Sequence, residues 1–393
     1  MNPNAPLLQQ RSLWRLVQRR LRDYFPGQNG SASSRRIGVG LIGVGNVASW
    51  QHLPKLRDSH RGFQLKAVYD IAEARAQSIA AEFSVTCCDS LTVLVRRDDV
   101  EAVVICTPTQ AHVEGVLAAL HAKKHVLCEK PLGQTSREAH QMWAASREAG
   151  VVNMVDFSYR FRPDFTFVGR LIRTGMLGQI YHMWGSISQG QWFTESAEPS
   201  AERPDAALWK FGPGGGVIRD LGPHVLDLVR CWFGEIRCVQ AWMKPVLRGA
   251  AGAEAACGMM LTFDSGAVAQ LLTSRLETGV KEQTFLDIAG SRGALRLEHG
   301  VVKLWTVDSP RWRTLLLPLH VPDVLNAFYR AIIDPTAERP SFWDGLKNNE
   351  ALDAVLISAE RAVSIPLPLG PDGNAWPPAQ RPPPAAVADF LRM

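Results

Sequence analysis

The chain has 393 residues, enough for two domains, and its 46% hydrophobic and 21% charged residues exclude a wholly disordered chain. No apolar run approaches the roughly 18 residues that a membrane helix needs. The net charge of +5 sits at the start, where residues 1–36 hold seven arginines against one acid, Asp23; the remaining 36 basic and 37 acidic residues carry no electrostatic footprint for nucleic acid.

In the opening segment Leu13, Trp14, Leu16, Val17, Leu21 and Phe25 alternate with Arg11, Arg15, Arg19, Arg20 and Arg22 at helical spacing. Residues 26–34, with Pro26, Gly27, Gly30 and three serines, read as a linker. This basic arm lacks the apolar stretch of a secretory signal and is expected to pack on its own body or on a neighbouring subunit. A transit-like or membrane-surface helix is the competing reading.

From Ile37 to residue 157 short apolar runs alternate with helical periods. Strands are expected at Ile37–Ile42, Leu65–Tyr69, Ala102–Cys106, His125–Cys128 and Val151–Phe157. Helices are expected at Val47–Leu56, Ala72–Phe83, His112–Ala122 and Ser136–Ala149, the last opening on a Thr135–Glu138 capping box and ending at Gly150. Such alternation predicts a parallel sheet covered on both faces.

Beyond about residue 175 strands follow one another directly: Gln179–Ser188, Ile236–Val246, Gly258–Phe263, Ala267–Ser274, Thr284–Ala289 and Ala294–Glu298. Short Gly-containing turns between the later ones predict an antiparallel sheet. A helix at Asn348–Ser364 precedes a Pro-rich tail. The expected organisation is an arm and linker (1–36), an α/β dinucleotide-binding domain (37–157), an α+β domain (158–370) and the tail (371–393). Cys87, Cys88, Cys106, Cys128, Cys231, Cys238 and Cys257 show no zinc spacing, so reduced thiols of a cytoplasmic protein are expected and no metal site.

Three stretches carry chemistry. Gly43-Val44-Gly45-Asn46-Val47-Ala48 matches G-x-G-x-x-[G/A] directly after the first strand. The first glycine makes the tight turn, the second lets backbone approach a pyrophosphate, and Ala48 still permits close helix–strand packing. Asp70, at the end of the second strand, is placed to accept the adenosine ribose hydroxyls and to repel a 2′-phosphate; this favours NAD, with NADP left open because Arg75 is near in sequence. Next, Cys128-Glu129-Lys130-Pro131 puts a lysine at the carboxyl edge of the sheet, where ligands of open α/β folds bind. Finally, Gly214-Gly215-Gly216 leads into Asp220 and His224, spaced to share a helix face, although Pro223 interrupts that helix.

Together these stretches resemble the Gfo/Idh/MocA family of NAD(P)-dependent oxidoreductases, named for glucose–fructose oxidoreductase and inositol dehydrogenase. The resemblance spans about residues 36–370 and includes Thr107-Pro108-Thr109-Gln110-Ala111-His112, Tyr159-Arg160-Phe161-Arg162-Pro163, Gly175–Ile180 and Ser341–Gly345. It implies a Rossmann domain, then a domain with a large open, mainly antiparallel sheet often used to form homodimers or homotetramers. The family's lysine, aspartate and histidine fall on Lys130, Asp220 and His224. Cofactor contacts are implied at Gly43, Gly45, Asn46, Val47, Asp70, Thr107, Pro108, His112, Glu129 and Lys130. The implied substrate is a sugar or cyclic polyol, met by Asp220 and His224; Trp192, Trp209 and Phe211, which flank the triple glycine, read either as an apolar platform for a sugar ring or as ordinary core or interface aromatics, and of the polar candidates Asp156, Arg160 and Arg162 the expected contact is Arg160.

Oxidising a secondary alcohol requires loss of the hydroxyl proton as hydride leaves the same carbon. An ordinary histidine titrates near ~6.5, close to neutrality, and an ordinary lysine near ~10.4. His224 is therefore expected to accept the proton and Lys130 to stabilise the developing alkoxide. Asp220 would orient the substrate or His224. Two rival readings are a redox-assisted glycosidase or eliminase with retained NAD, and a cofactor-sensing protein without turnover.

Overall fold

A computed structural model describes residues 35–57, 62–190, 215–245, 253–277, 279, 282–318 and 321–370. The basic arm, the Pro-rich tail, Trp192, Trp209, Phe211 and Gly214 lie outside these residues. The described chain forms two compact units, one of residues 35–161 and 322–350 and the other of residues 162–318 and 351–370.

The first unit is built on six parallel strands: β1 (Ile37–Ile42), β2 (Phe63–Tyr69), β3 (Thr86–Cys87), β4 (Ala102–Ile105), β5 (His125–Glu129) and β6 (Asn153–Asp156). Their order, β3-β2-β1-β4-β5-β6, is that of a doubly wound dinucleotide-binding sheet. Every side chain of β1 and β4 is buried, as a sheet covered on both faces requires. One core gathers Ile37, Val39, Leu41, Leu65 and Val104; the other gathers Ile42, Val103, Ile105, Val126 and Cys128.

Most strand boundaries fall within a residue or two of those expected. Helix Ser136–Ala149 is as read: Thr135 Oγ1 accepts from the Glu138 amide (3.2 Å), and Gly150 closes the helix at φ +68°. The helix expected at Val47–Leu56 instead opens as a π-helical turn, Ala48–His52, and continues as Leu53–Arg57. The wider turn brings both Gln51 and His52 to the interior. Residues 322–350, read from sequence as part of the second domain, belong to the first unit. There Phe328, on helix Val324–Ile333, stacks on Phe63 (5.6 Å between rings), and Phe342 lies in the second core.

The second unit holds nine strands. They are β7 (Ile180–Gln189), β8 (Ile236–Pro245), β9 (Glu254–Phe263), β10 (Val268–Ser274), β11 (Glu282–Gly290), β12 (Gly293–Glu298), β13 (Val301–Thr306), β14 (Ser309–Leu315) and β15 (Ile365–Pro366). The order is β14-β13-β12-β11-β7-β10-β9-β8-β15, antiparallel throughout except that β7 and β10 run parallel. Strands β13 and β14 escaped the sequence reading, and so did helix Pro163–Arg173. One sheet face buries Met183, Ile187, Val239, Leu261, Leu271, Leu286 and Leu304. The opposite face presents Trp184, Trp242 and Met260 to solvent, at 50%, 58% and 42% exposure.

Candidate active site

The first unit assembles its candidate residues at the carboxyl edge of the sheet. Gly43 follows β1 at φ +83°, and a Cβ there would stand 2.7 Å from the Thr107 amide nitrogen, so only glycine closes this turn. Gly45 differs: a Cβ there would meet nothing nearer than Arg75 Nη1 at 3.7 Å. Open space over this backbone is what a pyrophosphate requires, and the helical turn starting at Ala48 follows at once. Asn46 is exposed and Val47 half-buried on the same loop. Asp70 sits at the end of β2. Its Oδ2 accepts from the Val44 amide and its Oδ1 from the Ala72 amide, both at 2.8 Å, while Arg75 Nη1 lies 3.7 Å from Oδ2. The carboxylate is thereby fixed beside the glycine loop with lone pairs to spare for ribose hydroxyls. Thr107, just past β4, has a buried hydroxyl oxygen with no hydrogen-bond partner among the described residues, and Pro108 beside it is exposed. The glycine cradle, the acid at the end of β2 and this orphaned hydroxyl fit a bound dinucleotide.

Two expected cofactor contacts prove to be turned inward. The ring of His112 is 1% exposed; Nε2 faces the Thr107 carbonyl (3.0 Å), and Nδ1 faces those of Pro131 (3.0 Å) and Leu132 (3.2 Å). With both nitrogens engaged by backbone, His112 braces two loops. Burial keeps its pKa low, so the neutral ring donates on one side only. Glu129 ends β5 with its carboxylate buried: Oε1 meets His52 Nε2 at 2.9 Å, and Oε2 accepts weakly from the Lys130 amide at 3.3 Å. Lys130 itself is half-buried, and the Lys130–Pro131 peptide is cis.

Beneath Lys130 lies a cluster that sequence reasoning missed. Asp156, at the end of β6, is the register partner of Glu129 and is 1% exposed; its Oδ2 accepts from Gln51 Nε2 (2.5 Å) and stands 3.4 Å from His52 Nε2. Asp156, a weak candidate for substrate contact, is buried in this cluster. Desolvation pushes Glu129 up to about 7 and Asp156 up to about 8, the latter helped by the charge of Glu129, and lowers His52 to about 4. Cys106 Sγ also approaches: ligand-type atoms of His52, Cys106 and Glu129 lie within 4.8 Å of one another. One signal was available, since Glu129 and Asp156 end neighbouring strands. The π-helical turn that delivers His52 left no mark in the hydrophobic pattern. Arg160 and Arg162 are engaged as well: Arg160 bonds Asp344 (3.1 Å), and Arg162 pairs with Asp164 (2.9 Å) and Glu282 (2.7 Å).

In the second unit Gly216 makes room for a carboxylate. Gly216 stands at φ +101°, and a Cβ there would fall 2.3–2.4 Å from the carboxylate of Glu254, which accepts from the Ile218 amide at 2.8 Å. Glu254 thus caps the short helix Val217–Asp220. Asp220 ends that helix and His224 lies in the first turn of the next, Gly222–Phe233, so the two do not share one continuous helix. The break at Leu221 explains how Pro223 is accommodated, at the start of the second helix. Both Asp220 and His224 are buried. Arg275, only 2% exposed, donates Nη2 to Asp220 Oδ2 and Nη1 to Gln189 Oε1 (3.1 Å). No spacing in the sequence announced Arg275, which follows β10 in a run that reads as strand.

Comparisons with known proteins agree with this architecture. Residues 37–157 match the oxidoreductase family with an NAD-binding Rossmann fold, and residues 165–296 match the Gfo/Idh/MocA C-terminal domain. The chain is 26% identical over 322 residues to levoglucosan dehydrogenase of Pseudarthrobacter phenanthrenivorans, covering 69% of this chain and 80% of that protein. It is 27% identical over 346 residues to inositol 2-dehydrogenase of Rhizobium meliloti, covering 84% and 99%. A solved structure of levoglucosan dehydrogenase with NADH and levoglucosan superposes on 85% of this chain and 100% of that one, with a TM-score of 0.75 at 24% identity. The glycine cradle, the two matched domains and these relatives show that the chain belongs to the Gfo/Idh/MocA family of NAD-binding oxidoreductases.

Proposed function

We propose that the protein interconverts a secondary hydroxyl and a ketone on a sugar or cyclic polyol. NAD, when bound, supplies the hydride acceptor or donor. The observation that carries the reading is the occurrence, at one sheet edge, of the glycine cradle, Asp70 fixed beside it and Lys130 at the end of β5. Relatives named as levoglucosan and inositol dehydrogenases support the substrate class.

Gly43, Gly45, Asn46, Val47, Thr107 and Pro108 hold the dinucleotide, and Asp70 takes its adenosine ribose, which disfavours NADP. Lys130 hydrogen-bonds the substrate oxygen and stabilises alkoxide charge as it develops. His224 accepts the hydroxyl proton in oxidation and returns it in reduction. Asp220, held by Arg275, orients the substrate or His224 and does not itself take the proton. The test is absorbance at 340 nm with NAD and a panel of polyols and sugars: reduction with at least one member is expected. NAD binding without turnover on any member would overturn the reading.

We further infer a homodimer or homotetramer formed through the exposed sheet face. Trp184, Gln270 and Met260 stand in one register line across β7, β10 and β9, and Trp184 packs on Phe285 at 4.7 Å. A cytoplasmic location is inferred too, supported by seven cysteines that form no disulfide.

A further inference from the structure

The cluster beneath Lys130 has a hydrogen-bond arithmetic that fixes its protons. His52 Nε2 faces two carboxyl groups, Glu129 at 2.9 Å and Asp156 at 3.4 Å, but carries one hydrogen. Its Nδ1 is buried with no partner among the described residues, and an orphaned lone pair costs less there than an orphaned N–H of an imidazolium. His52 is therefore neutral and donates through Nε2 to Glu129. Asp156 Oδ1 is likewise buried with no partner among the described residues, and the Asp156 and Glu129 carboxyl groups hydrogen-bond each other, which two carboxylates cannot do without a proton between them. Gln51 donates to Asp156 Oδ2.

We propose that His52, Glu129 and Asp156 form a buried clamp sharing one carboxyl proton, held chiefly on Asp156, and that this clamp positions Lys130 by fixing the backbone at the end of β5. The groups facing the shared proton are His52 from the π-helical turn, Lys55 from the helix Leu53–Arg57, Cys106 beyond β4, Cys128 and Glu129 from β5 with Lys130 just after it, and Asp156 itself from β6. Burial and the mutual repulsion of the two carboxyls favour retention of that proton at neutral pH, in agreement with the hydrogen-bond pattern. None of the three side chains needs to touch substrate; they act through the Glu129–Lys130 backbone. The role in turnover rests on the dehydrogenase reading above, whereas the protonation state does not.

The experiment compares Asp156→Asn, Asp156→Ala and His52→Leu in the full chain, by thermal unfolding from pH 6.5 to 9, by NAD titration and by steady-state kinetics. Asn has the shape and hydrogen-bonding capacity of the protonated acid. Asp156→Asn should therefore keep the unfolding midpoint at pH 6.5 and show a flatter decline toward pH 9 than the wild type. An equally steep decline overturns the shared proton, and so does a stoichiometric metal ion in the purified protein, because a metal would displace that proton. Asp156→Ala and His52→Leu should lower kcat by roughly 10- to 100-fold, with KM and NAD affinity within about twofold, the expected signature of a misplaced Lys130. Asp156→Asn should restore kcat relative to Asp156→Ala. Folded His52→Leu with native kcat overturns the positioning role. If the wild type oxidises no substrate, the dehydrogenase reading and the role in turnover both fall, while the unfolding comparison still decides the shared proton.

Discussion

The guanidinium of Arg275 and the carboxylate of Asp220 form a hydrogen-bonded ion pair, with the Arg275 side chain 2% exposed. Gln189 takes a second arm of the guanidinium at 3.1 Å. Arginine holds a flat fork in a fixed plane, so it fixes the direction of the carboxylate as well as its charge.

Replacing Arg275 with Met takes its charged partner from the buried carboxylate of Asp220. Such losses cost about 3–5 kcal/mol, and urea denaturation should show a destabilisation of that size. The double variant Arg275→Met/Asp220→Asn should recover part of it. A fully stable single variant would show that the pair does not hold the site.

Asp70→Ser should weaken NAD relative to NADP. It removes the proposed ribose acceptor and frees Arg75, now 3.7 Å from the carboxylate, for a 2′-phosphate. Dissociation constants for both cofactors check this, and an unchanged ratio would refute the ribose assignment.

Lys130→Met should lose most turnover, of the order of 10²-fold or more, while NAD affinity stays within about threefold. Undiminished turnover would remove Lys130 from the chemistry.

The buried cluster also makes stability depend on pH. Unfolded carboxyls titrate near ~4 and an unfolded histidine near ~6.5. Because Glu129 and Asp156 are raised to about 7 and about 8, their contribution is full below ~4 and is lost as pH climbs through 7–8. His52, lowered to about 4, contributes fully above ~6.5 and loses that contribution as pH falls toward 4. Above pH 6.5 histidine is neutral in both states and the carboxyls alone set the slope. The unfolding midpoint should fall between pH 6.5 and 9, with the free energy of unfolding dropping by at most about 1.4 kcal/mol per pH unit for the one shared proton.

Legibility in the sequence followed the range of each interaction. Gly43, Gly45 and Asp70 act within one strand–turn–helix unit and the next strand, so their spacing announced them. Lys130 stood out because it directly follows a strand at the carboxyl edge of the sheet. Glu254 could not be read as the partner of Gly216, since the two are 38 positions apart and meet only through sheet packing. Asp220 and His224 were recognised as a pair, yet the helix break at Leu221 was marked only by Pro223. His52 was hidden by the π-helical turn, which departs from the 3.6-residue period on which the helix reading relied. Return of residues 322–350 to the first unit depends on Phe328 meeting Phe63 across 265 positions, beyond any local signal.

Met260→Lys, on the exposed sheet face, should convert an oligomer to monomer in light scattering without lowering the unfolding midpoint. An unchanged particle mass would place the interface elsewhere.

Isotope transfer tests hydride exchange most directly. A substrate identified in the 340 nm panel is deuterated at its carbinol carbon and incubated with NAD and enzyme, and the cofactor is weighed by mass spectrometry. Reduced cofactor one mass unit heavier, formed in step with the ketone, is expected. Ketone without label in the cofactor, or consumption of substrate with all the cofactor still oxidised, would contradict hydride exchange.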